Sequence, residues 1–65
     1  MGSGYYDRLI VILRENGCHF LRQGKGSHEN WYSPITNKAF TVAYTINSRI
    51  LANKILKQAG IDFKF

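Results

Sequence analysis

Apolar residues recur with a helical period at both ends of this chain and cluster without it in between. Between Tyr5 and Asn16, the residues Tyr6, Leu9, Ile10 and Leu13 fall at i, i+3, i+4 and i+7, which is one face of a helix. Ser3 can cap its start, Asp7 suits the positive end of the helix dipole, and Gly17 after Asn16 is a helix-end signal. From Cys18 the pattern changes. Cys18 to Gln23 is rich in apolar and aromatic residues and too short for a helix, so it reads as a strand. Gly24-Lys25-Gly26-Ser27 is the turn that follows, and His28 to Ser33, carrying Trp31 and Tyr32, is a second strand. Pro34 to Lys38, with Asn37 near its end, is a second turn. Ala39 to Tyr44 contains the strand formers Phe40, Thr41, Val42 and Tyr44 and makes a third strand. The helical period then returns. Asn47 or Ser48 can cap a helix running to Ala59, with Leu51, Ala52, Ile55, Leu56 and Ala59 as its apolar stripe and Gly60 as its stop. Ile61, Phe63 and Phe65 form a tail expected to pack back on the core.

The order helix, three strands in antiparallel meander, helix predicts an α+β fold. Both helices must bury their stripes, most simply on the same face of the sheet, which leaves the other face open. Residues 5–65 read as one domain. Residues 1–4, Met1-Gly2-Ser3-Gly4, are a flexible N-terminus or an expression remnant and are set aside. A chain of 65 residues buries only about 60% of the surface that it exposes when unfolded. It has room for one thin core and none for a deep pocket around a large cofactor, so no cofactor is expected. A hydrophobic fraction of 45% and an aromatic fraction of 14% are too high for a disordered chain.

Charge narrows the partners. Nine Lys and Arg against four Asp and Glu give a net charge of +5, which suits a polyanion. RNA, DNA, an anionic membrane and an acidic protein all satisfy that, and scattered basic charge also aids solubility. The one cysteine, Cys18, forms no disulfide within the chain. That points to a reducing, cytoplasmic setting and to a small core residue rather than a nucleophile. One Cys and two His build no four-ligand zinc site, so no metal is expected. The longest apolar run, Leu9 to Leu13, is far too short to span a membrane.

The stretch Gly24-Lys25-Gly26-Ser27-His28 carries the most chemistry. Glycines let the backbone turn tightly, and successive N–H groups in such a turn can hold an anion. Lys25 adds a point charge that can hold a scissile phosphate, with Arg22 just before it as a second candidate, and Ser27 has a hydroxyl that can shape the turn. A histidine has an ordinary pKa of about 6.5 and exchanges a proton at neutral pH. Cleavage of RNA by its own 2′-hydroxyl requires such an exchange, together with cations for the phosphorane charge. The same residues also read as an ordinary hairpin turn followed by a surface histidine. His19, in mid-strand, is a weaker candidate. Lys54 and Lys57 share a face of the last helix and either track phosphates, as in double-stranded RNA readers, or simply solvate that face. Trp31, Tyr32, Tyr5 and Tyr6 either stack on bases or build the core.

Several stretches together resemble one family. Glu15-Asn16-Gly17-Cys18, Arg22-Gln23-Gly24-Lys25-Gly26-Ser27-His28, Trp31-Tyr32-Ser33-Pro34-Ile35-Thr36-Asn37 with Phe40-Thr41-Val42, and the closing Leu56-Lys57-Gln58-Ala59-Gly60-Ile61 are similar to HicA toxins. The resemblance runs from about Tyr5 to Ile61. It implies a fold like the double-stranded RNA-binding domain, a metal-independent mRNA interferase activity, His28 as the catalytic residue and a HicB-type antitoxin that covers the active site. Charge and turn geometry, rather than the resemblance, give Arg22, Lys25, Gly26, Ser27, Lys54 and Lys57 as the candidate RNA-binding set. The chain departs from the family pattern at Asn30, where an apolar residue is usual. It departs again at Ala43 to Asn47, where the family usually has Pro and often a nearby His. A non-catalytic double-stranded RNA-binding module, an altered and inactive member, and a basic element that docks on an acidic protein are the alternative readings.

Overall fold

A computed structural model describes residues 4–65 of the chain. The elements are α1 (Tyr6–Glu15), β1 (His19–Gln23), β2 (His28–Ser33), β3 (Lys38–Ala43) and α2 (Arg49–Gln58). The strands form one antiparallel sheet in the order β1-β2-β3, with Trp31 opposite Phe40 and Phe20 opposite Trp31. This is the predicted α-β-β-β-α topology, and it is consistent with a fold like the double-stranded RNA-binding domain.

Both helices bury their stripes in one core. Leu9 and Leu13 of α1 and Ala52, Ile55 and Leu56 of α2 cluster with Trp31, Phe40 and Val42, so the two helices share one face of the sheet. Strand alternation accounts for the sheet's share: Trp31 and Ser33, and Phe40 and Val42, point into the core, while Ala39 and Thr41, alternating with Phe40 and Val42, are exposed. Cys18 is buried, as expected of a small core residue. Its backbone N–H donates to the Leu13 carbonyl and leads the chain out of α1.

The helix ends follow their caps. Ser3 lies outside the described residues. Tyr5 occupies the N-cap position of α1 and makes no side-chain cap. At α2, Ser48 is the N-cap, and its hydroxyl accepts from the Leu51 N–H. Beyond α2, Gly60 takes φ +79°, and a Cβ there would come within 2.8 Å of Ile35 Cγ2 and 2.9 Å of Thr36 Cγ2. Only glycine fits both the backbone and the space. The tail then turns back along α2, where the Phe65 N–H donates to Asn53 Oδ1 at 2.8 Å. The Phe65 ring meets Tyr5 edge-on, with centroids 5.2 Å apart.

Two expectations need correction, and the edge strand shows one further feature. Leu51 is not on the buried stripe of α2: it is half exposed, because Ala52, Ile55, Leu56 and Ala59 already fill the contact. Every residue of β1 is exposed, including Phe20 and Leu21. This edge strand carries a register shift between Phe20 and Arg22, so the outermost strand is irregular and thinly covered. The third strand is shifted by one residue, starting at Lys38 and ending at Ala43, and Tyr44 turns out of it.

Candidate functional site around His28

His28 opens β2 at the exit of the glycine turn. The hairpin closes through backbone groups: the Gly24 N–H donates to the His28 carbonyl at 2.8 Å, and the His28 N–H donates to the Lys25 carbonyl at 2.9 Å. The Gln23 side chain braces the turn from inside, with Nε2 donating to the carbonyls of Gly26 at 3.1 Å and His28 at 3.0 Å. A Cβ on Gly24 would come within 3.2 Å of the His28 carbonyl oxygen, a tight contact that the hairpin backbone would have to relieve by a small shift. Gly26 supplies the left-handed residue at φ +57°. On the other flank, the Tyr44 N–H donates to the Ser27 carbonyl at 3.0 Å, and Thr45 Oγ1 donates to Ser27 Oγ at 3.3 Å. The Ser27 hydroxyl therefore ties the turn to the end of β3 rather than closing the turn on itself. The backbone at His28 is held from both neighbouring strands.

The side chain of His28 is exposed and borders a hollow of about 580 Å³ between β3, the segment after it and α2. Its polar lining comes from Thr41, Thr45, Asn47, Lys54 and Gln58, and its apolar lining includes Phe40, Ile46, Leu51 and Ile55. Lys54 is the one lysine or arginine among these residues, and no carboxylate is present. A hollow of that composition favours an anion.

The candidate cations separate into groups. Lys54 shares the hollow with His28. Lys57 lines a second hollow on the other flank of α2, which Lys54 also borders. Arg22 pairs with Asn30 across the sheet, two residues from His28 on the same open face. Lys25 is exposed at the tip of the turn, and Gly26 beside it has open space around its Cα. Neither Arg22 nor Lys25 lines the His28 hollow. Among the described residues, no three His, Cys, Asp or Glu side chains gather as a metal site would require. No described helix is long and apolar enough to cross a membrane.

The aromatic candidates also divide. Trp31 is buried to 1% exposure, with its Nε1 donating to Glu29 Oε1 at 3.0 Å, so it builds the core and does not stack on a ligand. Tyr6 is partly buried and donates to the same carboxylate, at 2.9 Å and 3.0 Å to its two oxygens. Burial, the hydrogen bond to Glu29 and the charge of that carboxylate raise the Tyr6 pKa from 10.0 to about 12. Tyr5 packs against Phe65. Tyr32 is half-buried on the open face beside His19, with ring centroids 5.4 Å apart. His19 stands opposite Tyr32, whereas His28 stands opposite Ala43, so the two histidines lie at different ends of the sheet.

Sequence reading missed Thr41, Gln58 and Glu29. Thr41 was recoverable, since it alternates outward between the buried Phe40 and Val42. Gln58 was recoverable too, being one helical turn beyond Lys54. Glu29 carried no such signal, because its role rests on Tyr6, 23 residues away. Ala43 to Asn47, where the chain departs from the pattern it resembles, forms one wall of the His28 hollow.

The family model described as HicA toxin of bacterial toxin-antitoxin matches residues 6–61, from the first residue of α1 to the tail beyond α2. No curated protein and no solved structure matches the chain. The matched span takes in the glycine turn, His28 and both helices. This chain belongs to the HicA toxin family.

Proposed function

We propose that this protein is a toxin endoribonuclease that cleaves messenger RNA with His28 as its proton-transfer group, and that a HicB-type antitoxin neutralises it. The observation that carries the reading is a carboxylate-free hollow bordered by an exposed histidine and a lysine, His28 and Lys54, in a chain of this family. The reaction fits those groups. A ribose 2′-oxygen loses its proton and attacks the adjacent phosphorus. The bond from phosphorus to the 5′-oxygen breaks, and that oxygen takes up a proton. The products are a 2′,3′-cyclic phosphate and a 5′-hydroxyl. His28 serves as base when neutral and as acid when protonated. The Lys54 ammonium offsets the charge that builds on the phosphorane. Arg22, Lys25 and Lys57 lie outside the hollow and suit phosphates further along the strand, with the backbone of Gly26 and Ser27 near the first of them. No step requires a metal.

The fold alone also suits a non-catalytic double-stranded RNA reader. What favours the nuclease is the pairing of His28 with Lys54. The test is the nucleophile. RNA should be cut to fragments ending in a 2′,3′-cyclic phosphate, and the same oligonucleotide with 2′-deoxyriboses should remain whole. Cleavage of the deoxy substrate would overturn the mechanism.

A further inference from the structure

α2 separates two hollows, and Lys54 borders both. The second, of about 590 Å³, lies between α2 and the returning tail. Lys57 and Lys64 join Lys54 along it, with Asp62 as its one carboxylate, so its charge is +2 from three lysines and one aspartate. Its apolar lining is Ile50, Ile61 and Phe63. Ile50 is 74% exposed and Phe63 43%, which is unusual for large apolar side chains in so small a fold. Phe63 is held by Phe65, edge-on at a centroid separation of 5.4 Å, and Phe65 is anchored to Asn53. The aromatic ring is thus fixed at the rim of a lysine-bordered hollow.

Cations beside an exposed aromatic ring match one ligand chemistry well: a nucleotide with its phosphate on the lysines and its base on the ring. A phosphate alone would have no use for Ile50 and Phe63, and a paired base in a duplex has no free face to offer. We infer that the hollow formed by Lys57, Lys64 and Phe63 is a second nucleotide subsite, joined to the His28 hollow through Lys54, and that it selects single-stranded RNA. The inference rests on the proposed ribonuclease reading. It extends that reading by giving the substrate a direction, from His28 across α2 to the tail, and an unpaired nucleotide beyond the scissile one. Lys64 and Phe63 lie outside the span that matches the family model.

The test uses the full chain with Lys64→Ala, and separately Phe63→Leu, which keeps an apolar side chain against Phe65. Cleavage of a dinucleotide, which fills only the His28 hollow, should keep the parent's kcat/KM in both variants. Cleavage of an eight-nucleotide single strand should lose about tenfold in kcat/KM, mostly through KM. In binding titrations with a His28→Ala background, Lys64→Ala should lower the salt slope by about 0.7, for the one phosphate contact removed. Unchanged KM and salt slope for the longer strand would overturn the subsite. Equal losses on the dinucleotide and the longer strand would show a general structural effect and overturn it as well. Equal affinity for a duplex of the same length would overturn the single-strand selection. Failure of the parent to bind or cleave any RNA would instead remove the ribonuclease reading beneath it.

Discussion

Glu29 is next to His28 in sequence but on the opposite face of the sheet, and its carboxylate is satisfied by Tyr6 and Trp31. It thus supports the core and leaves the His28 hollow free of negative charge. The contact makes stability depend on alkaline pH. Below about pH 10, the Tyr6 hydroxyl is protonated in both the folded and the unfolded chain, and its contribution is complete. The unfolded tyrosine ionises near 10.0, whereas the folded one holds its proton until about 12. The folded chain therefore loses stability as the pH rises through that interval. Tyr6→Phe should cost about 1 kcal/mol at neutral pH. It should also flatten the fall in unfolding temperature between pH 10 and 12. Parallel falls in the parent and the variant would show that Tyr6 does not titrate in this way.

At the scale of elements, the helical period identified both helices, and strand-forming composition identified the three strands, of which β2 and β3 bury one side against the single core. The turn residues were legible for the same local reasons: Gly17, Gly26 and Gly60 all take positive φ, as does Asn37 in the second turn. Leu51 was misread because periodicity marks a stripe without its width, and the sheet accepts only the part centred on Ala52, Ile55 and Leu56. The exposure of β1 follows from its place at the sheet edge, which depends on pairing and not on its apolar composition. The site divided similarly. His28 and its turn stand out locally. The company of Lys54, Thr41 and Gln58 depends on how α2 crosses the sheet, which no local pattern encodes. Truncation should expose the difference within α2. Leu56→Ala, at a fully buried position, should cost about 2–5 kcal/mol in denaturant unfolding. Leu51→Ala, half exposed, should stay within about 0.5 kcal/mol. Similar losses at the two positions would contradict the packing described.

As a whole molecule, this chain spends nearly all its buried surface on one thin core and keeps its chemistry at the rim. That division follows from size: 65 residues enclose no deep cavity. The hollows instead form where α2 meets the sheet and where the tail returns to α2. A net charge of +5 surrounds them, which brings a polyanion to the surface before any specific contact forms. Membership of the HicA family and the hollow that His28 and Lys54 both border meet at one testable point. The purified chain and its His28→Ala variant are incubated with labelled single-stranded RNA in EDTA at low salt, with folding and RNA binding checked for both. The expected result is cleavage by the parent and none by the variant, although the variant folds and binds. Undiminished cleavage by His28→Ala, or no cleavage by either chain while both bind RNA, would contradict it.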